Sequence, residues 1–328
     1  MRIGAHVRLR DARLKSAVES ELESVEQLLQ SAVQSSFPFA TDAANHLVNA
    51  GGKRFRPLLT LVASHLGTGP NHAVRQAAVV CELTHVATLF HDDVMDEATL
   101  RRGIDSANAR WGNTVAILTG DFLFSKASQV LAELGPEAVR IQAETFERLC
   151  IGQINETRGP QSGEDQVSHH LQVLSDKTGS LIATSLHFGG LFSDVDTSAI
   201  AALARYGERI GVAFQLADDI VDIVSEDSGK TPGTDVREGV PTLPTMLVSA
   251  MARPGDEQLR DRLSGPIGDE LAVSETLTQL RAHPAIDEAR SIARQWAAQA
   301  RDEIAEIPSS AAKDALDTIC DFVVERTA

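Results

Sequence analysis

From about Leu14 to the C-terminus, apolar residues recur at three- and four-residue intervals, and no run of alternating β-branched residues interrupts them. A chain with that period buries one stripe of each segment, so it must pack helix on helix. Leu22, Val25, Leu28, Leu29, Ala32 and Val33 follow helical spacing and predict a first amphipathic helix. Ala and Leu are plentiful and aromatic content is only 4%, which suits helices. Punctuation falls at Gly67–Asn71, Gly135-Pro136, Gly159–Gly163, Asp194–Ser198, Ser225–Pro241, Pro254-Gly255 and Gly265-Pro266. A long helix is expected from about His72 to Met95, and another ending near Ile223. Pro136 suits a first helical position. No repeat or composition shift marks a boundary. The expectation is an all-α fold: one helical domain over residues 1–328, with its site in the core between facing helices.

Two of these helices end in the same acidic pattern. His91-Asp92-Asp93-Val94-Met95-Asp96-Glu97 and Gln215-Leu216-Ala217-Asp218-Asp219-Ile220-Val221-Asp222 both contain Asp-Asp-x-x-Asp. In a helix the first and last Asp lie one turn apart on one face, roughly 6 Å along the axis. Carboxylates so placed can share a hard divalent cation such as Mg²⁺, which keeps coordination positions for phosphate oxygens. One such cluster alone is more often a solvated helix end. Here the pattern occurs twice, each time after an apolar helix, and each time where acids oppose the helix dipole, a local cost that bound cations offset.

Basic residues accompany the clusters. Gly51-Gly52-Lys53-Arg54-Phe55-Arg56-Pro57 places cations at a helix start. Arg101-Arg102-Gly103 follows the first cluster, Asp176-Lys177-Thr178-Gly179 lies between the two, and Lys230 follows the second. Arg grips phosphate bidentately. The net charge of −16 argues against a nucleic-acid binder and disfavours anionic membranes, yet an anionic substrate can bind through divalent metals. Two decoys fail. Glu82-Leu83-Thr84-His85 is half of a helical di-iron motif without a second copy. Gly229-Lys230-Thr231 resembles the end of a phosphate-binding loop, but Val224 stands where its first glycine belongs. Cys81, Cys150 and Cys320 are odd in number and widely spaced, so neither a disulfide framework nor a zinc site is indicated, and a reduced cytoplasmic setting is expected. No signal peptide and no stretch able to span a bilayer is expected.

Taken in order, Gly51–Pro57, His85, His91–Asp96, Arg101–Gly103, Gly120-Asp121, Lys177–Gly179 and Phe214–Asp222 resemble the motifs of the trans-isoprenyl diphosphate synthases, or polyprenyl synthetases. The resemblance is strong over about residues 45 to 245. It implies an isoprenoid synthase fold, a homodimer, and the two Asp clusters opposed across a deep helical cavity. By resemblance, Asp92, Asp96 and Asp218 hold Mg²⁺ against an allylic diphosphate, with Asp93, Asp219 and Asp222 in direct or supporting contact. Arg101, with Lys177 and Lys230, binds that diphosphate. Lys53, Arg56, His85 and Arg102 bind isopentenyl diphosphate. Thr178 and Gln215 point oxygens at the developing carbocation. Thr234 departs from relatives that carry a second Lys there.

The resemblance also bears on product length. Ala87 and Thr88 stand one turn before Asp92, where short-product members carry bulky aromatics. Small residues there imply a long product of the kind used for quinone side chains. Phe122 and Phe124 are either a deeper floor or core packing. The alternatives are a geranylgeranyl-length synthase, a terpene cyclase and a non-catalytic partner subunit. A cyclase lacks the Lys53/Arg56 set, and such subunits lose part of one Asp motif.

Overall fold

The computed structural model describes residues 9–225 and 233–327. Lys230, one of the candidate phosphate ligands, lies outside the described residues. The chain divides into two compact units. The first comprises Met1–Phe146, Leu181–Ala204 and Glu306–Thr318, and the second Glu147–Ser180, Arg205–Ala305 and Ile319–Ala328.

The first unit begins with α1 (Ala12–Ala32), capped by the Asp11 carboxylate, which accepts from the Leu14 N–H at 2.7 Å. Its buried stripe is Leu14, Val18, Leu22, Val25 and Leu29. Of the predicted residues Leu22, Val25, Leu29 and Val33 are buried, Leu28 and Ala32 only partly, and the helix packs on α3 (Phe55–Ser64) and α4 (His72–Met95). α2 (Pro38–Asn49), between α1 and α3 in the sequence, packs on later helices of this unit. Every residue of α3 from Pro57 to Ser64 is buried. α4 spans the predicted 24 residues, with Asn71 accepting from Val74 N–H at 3.0 Å as its N-cap. Sequence periodicity predicts no strand, but Leu100–Arg101 (β1) and Ile104–Asp105 (β2) pair as a minimal hairpin. The signal was too short for periodicity: Arg102 and Gly103 form the whole loop, with φ of 54° and 79°. Positive φ at both central residues is the type I′ turn that fits the natural strand twist.

After α5 (Ala107–Trp111) comes α6 (Asn113–Leu134), which packs along α4. By length and composition alone α6 could cross a membrane, which corrects the expectation that no stretch could. It packs along α4 and carries Asp121, Lys126 and Glu133, while Ile117 and Leu118 on it are exposed.

α7 (Pro136–Arg158) starts on the predicted proline. α8 (Gln166–Leu174) runs into a π-helical turn, Ser175–Gly179, and then into α9 (Ser180–Leu191). α10 (Thr197–Val224) carries the second acidic cluster. The polar stretch expected from Ser225 to Pro241 includes one short helix, α11 (Thr234–Glu238). The second unit continues with α12 (Leu243–Met251), α13 (Glu257–Arg262), α14 (Glu270–Arg281) and α15 (Pro284–Glu303), and α16 (Ala311–Glu325) closes the chain. Its core draws Val212, Leu216 and Ile220 from α10 against Leu243, Leu280 and Ile286. Among the described residues β1 and β2 are the only strands, so the fold is all-α.

Candidate active site

In the first unit the acidic cluster occupies the last turn of α4. Asp92 and Asp96 are partly to fully exposed, and Asp93 is wholly buried. The difference follows from helical phase: position 93 faces the core side that Phe90 also occupies. Asp93 Oδ1 accepts from Arg101 Nε at 2.6 Å and Nη2 at 2.5 Å, while Oδ2 is buried without a hydrogen-bond partner. Burial pushes the Asp93 carboxyl up, Arg101 opposes this, and Asp96 adds to it. His91, just before the motif, bonds to Ile117 O at 3.1 Å and rests on Gly120, where a Cβ would lie 2.2 Å from its Nε2. Gly120 is therefore a steric requirement for seating α6 against the motif.

The hairpin turn sends its two arginines different ways. Arg101 neutralises Asp93. Arg102 donates to Leu47 O at 2.8 Å and to Gly51 O, and its guanidinium fills the space above Gly52, where a Cβ would meet it at 3.1 Å. Arg102 thus braces the Gly51–Lys53 loop. Lys53 is exposed, and Arg56 leaves a buried Nε without a partner.

Arg54, which carries no role in the sequence reading, proves to be the anchor of this loop. It has φ 48°, is 3% exposed, and donates to Glu26 at 2.8 Å, Glu82 at 2.8 Å and Val48 O at 2.8 Å. Only its neighbourhood, a third cation inside a Gly-Gly-Lys-Arg run, hints at that. Glu82 is its buried partner, which gives the rejected Glu-x-x-His pair a structural meaning. His85 lies in the field of these cations. Burial, then Arg56, Arg102, Arg54 and Arg101, push it well below the usual imidazole range, so it is neutral at pH 7. Arg54, Arg56, Arg101 and Arg102 gather here beside Glu26, Glu82 and Asp93. Unmet donors in an arginine cluster are what a polyanionic ligand satisfies. Ala87 is buried, and Thr88 donates to His85 O at 2.8 Å. Phe122 lines a 170 Å³ apolar cavity with Phe37, Phe39 and Leu118, while Phe124 packs on His91 and Phe146.

The second unit holds the other candidates. Lys177 and Thr178 sit inside the π turn, both half-buried, and Lys177 pairs with Glu156. On α10, Gln215 is half-buried. Asp218 pairs with Arg326, whose guanidinium stacks 4.7 Å above Phe214. Asp219 is buried and meets His170 Nε2 at 3.3 Å. Asp222 accepts from the N–H groups of Thr234 at 3.3 Å and Asp235 at 3.2 Å, so it ties α11 to α10. Arg326 was not foreseen; its only signal is a cation at the end of an acidic segment.

The donor set suits a hard cation, since the first and last carboxylates of each motif are only partly buried or exposed and lie four residues apart, one helical turn. Among the described residues no three acidic, His or Cys side chains gather at one point. A cation held here therefore needs further oxygens from its ligand, which is how Mg²⁺ binds diphosphates. The orphaned Asp93 Oδ2 is a further acceptor beside it.

A helical fold with two carboxylate motifs and a braced arginine cluster defines a class of protein that handles phosphorylated substrates with divalent cations. Comparison with known proteins identifies the class. The polyprenyl synthetase family model matches residues 38–280, and the chain belongs to that family. It is 48% identical over 325 residues to the nonaprenyl diphosphate synthase of Mycobacterium tuberculosis, covering 98% of this chain and 97% of the relative. Among solved structures, a geranylgeranyl pyrophosphate synthase from Corynebacterium glutamicum, complexed with calcium and isoprenyl diphosphate, superposes with a TM-score of 0.89. It is 41% identical and covers 98% of this chain and 99% of its own. A decaprenyl diphosphate synthase from Rhodobacter capsulatus gives a TM-score of 0.87 at 30% identity, covering 96% of this chain and 99% of its own.

Proposed function

We propose that this chain, acting as one catalytic domain over residues 1–328, is a Mg²⁺-dependent trans-prenyltransferase. It condenses isopentenyl diphosphate with an allylic diphosphate and repeats the addition to a long all-trans polyprenyl diphosphate. The observation that carries this is the repeated Asp-Asp-x-x-Asp at the ends of α4 and α10 together with the braced Lys53–Arg56 and Arg101–Arg102 cations. Neither feature alone requires two diphosphates; together they supply one metal-dependent and one metal-independent grip.

Asp92, Asp96 and Asp218 would hold the metal, which supplies charge neutralisation on the allylic diphosphate as its C–O bond breaks. Asp93, Asp219 and Asp222 orient them through Arg101, His170 and the start of α11. Arg101, Lys177 and Lys230 add positive charge where the leaving group gathers negative charge, which is preorganised electrostatic catalysis. Lys53, Arg56, Arg102 and neutral His85 fix isopentenyl diphosphate so that its alkene meets the cation. Thr178 and Gln215 offer oxygens to that cation. The proton then lost passes to the departed diphosphate, and the apolar helical surroundings exclude the water that would quench the cation.

Two further parts belong to this reading. The enzyme is a homodimer: α7 carries an exposed apolar row at Val139, Phe146, Ile151 and Ile154, and α6 exposes Ile117 and Leu118. Rows of that kind are what a second copy covers. It works in the cytoplasm. The product is long because Ala87 and Thr88 are small, in keeping with the mycobacterial relative named for a nonaprenyl product. The geranylgeranyl reading is favoured by the Corynebacterium structure instead. Ala87→Phe, with folding checked by circular dichroism, shortens the product if the growing chain passes this position; an unchanged distribution defeats that reading.

The deciding experiment incubates the purified chain with Mg²⁺, labelled isopentenyl diphosphate and, in parallel, dimethylallyl, geranyl, farnesyl or geranylgeranyl diphosphate. Products are dephosphorylated and sized by chromatography. A long product abolished by EDTA is expected. A geranylgeranyl product keeps the chemistry and overturns the length. No product with any primer points to the non-catalytic subunit.

A further inference from the structure

A π-helical turn is less favourable than the α-helix it interrupts, and such turns concentrate at functional sites. The turn Ser175–Gly179 contains Lys177 and Thr178, so what holds it open is a question about both. The locks are visible. Asp176 is buried, and both its carboxylate oxygens are engaged: Oδ1 accepts from Arg148 Nε at 2.9 Å and Oδ2 from Gln172 Nε2 at 2.8 Å. Its backbone oxygen accepts from Ser180 Oγ at 2.6 Å. Arg148 reaches on to Glu208 and to Ser175 Oγ at 3.2 Å, and Ser175 Oγ donates to Glu208 at 2.9 Å. α7 and α10 are thereby pinned to the turn from either side.

Two glycines permit the approach. A Cβ at Gly152 would come within 2.9 Å of Asp176 Cβ and 3.0 Å of the Lys177 nitrogen. At Gly179 it would meet Glu208 O at 2.9 Å. The cluster is therefore close-fitting as well as hydrogen-bonded. With both oxygens committed, Asp176 is placed to hold its neighbours and not to touch substrate.

We propose that Asp176 is a positioning residue that, with Arg148 and Glu208, holds the π turn and so sets the direction of Lys177 and Thr178. This rests on the prenyltransferase reading for its kinetic consequence, while its structural part stands apart from that reading. Asn at 176 has one oxygen where two are needed, so its amide group faces a donor from Arg148 or Gln172.

Asp176→Asn is expected to lower kcat about tenfold to a hundredfold, the size of a small misplacement of a catalytic group, with KM for isopentenyl diphosphate unchanged. In a Lys177→Ala background the same substitution adds little, because both act through one group. Glu208→Gln, at a half-buried position, gives a smaller loss in the same direction. Hydrogen exchange at the amides of Lys177 to Ser180 speeds up in Asp176→Asn while other helices keep their protection. A raised KM with unchanged kcat, or full multiplication of the effects of Asp176→Asn and Lys177→Ala, overturns the proposal. Unchanged exchange at those amides overturns it whatever the activity. Absence of product from the wild-type chain would defeat the functional reading alone and leave the exchange result to decide this one.

Discussion

The two Asp-Asp-x-x-Asp clusters share a pattern but not a setting. In each, the middle Asp is buried: Asp93 meets the Arg101 guanidinium, and Asp219 meets the His170 ring. Around the first cluster the fixed charges are arginines locked by buried carboxylates and backbone carbonyls. Around the second, Asp218 answers to Arg326 near the chain end and Asp222 to the start of a five-residue helix. Identical motifs can therefore sit in different settings, one among arginines held by buried carboxylates and carbonyls, the other with partners at His170, Arg326 and the start of α11.

The largest effect to expect is on catalysis. Asp92→Ala and Asp218→Ala should each lower kcat by about a hundredfold to a thousandfold, as removal of a preorganised charge does. EDTA should abolish product formation. Steady-state kinetics with titrated Mg²⁺ checks both, and a mild Asp218→Ala would break the equivalence of the two clusters.

Next in size is the arginine brace. Arg54→Met leaves Glu26 and Glu82 without their partner in the interior, and should cost about 3–5 kcal/mol in denaturant unfolding. Arg326→Gln, at the chain end and partly exposed, should cost far less. Equal losses would erase the contrast between the two settings. Arg102→Ala should raise KM for isopentenyl diphosphate roughly tenfold to a hundredfold, the worth of a charge-assisted hydrogen bond. KM for the allylic diphosphate should hold; a shift in that KM instead would reassign Arg102.

The smallest effect is the acid response. Burial lowers His65, His85 and His187, all in the first unit. A histidine held below its unfolded value gives stability that is present above about pH 6.5 and is lost as pH falls toward the folded value. The lowered carboxylates of the second unit, Glu164, Asp165, Asp256, Glu270 and Glu303, keep their contribution until pH falls below about 4. Hydrogen exchange near pH 5.5 should therefore loosen α1 to α6 before α12 to α15. Simultaneous loosening would show that the histidines do not set the order.

Much of this was legible before the structure, and for identifiable reasons. α4 fell on its predicted bounds because Asn71 caps it and the acidic motif ends it. α7 began at Pro136 because proline suits that position. The hairpin escaped because two-residue strands have no period to detect, although Arg102-Gly103 is turn chemistry. The π turn escaped because it is one extra residue in a helix, invisible to a window tuned to 3.6 residues per turn. Arg54 and Arg326 escaped because sequence ranks cations by motif, whereas their roles depend on which carboxylate lies across the fold.

The backbone of Arg102 has a consequence for selection. Its left-handed φ of 54° sits at a turn position that glycine or asparagine occupies with less strain. The substitutions that would relax the turn thus also remove the hydrogen bonds to Leu47 O and Gly51 O, and with them the brace on the Gly51–Lys53 loop. Selection at position 102 for a relaxed backbone would therefore cost the loop its brace. Turn strain and loop bracing pull in opposite directions at this single residue.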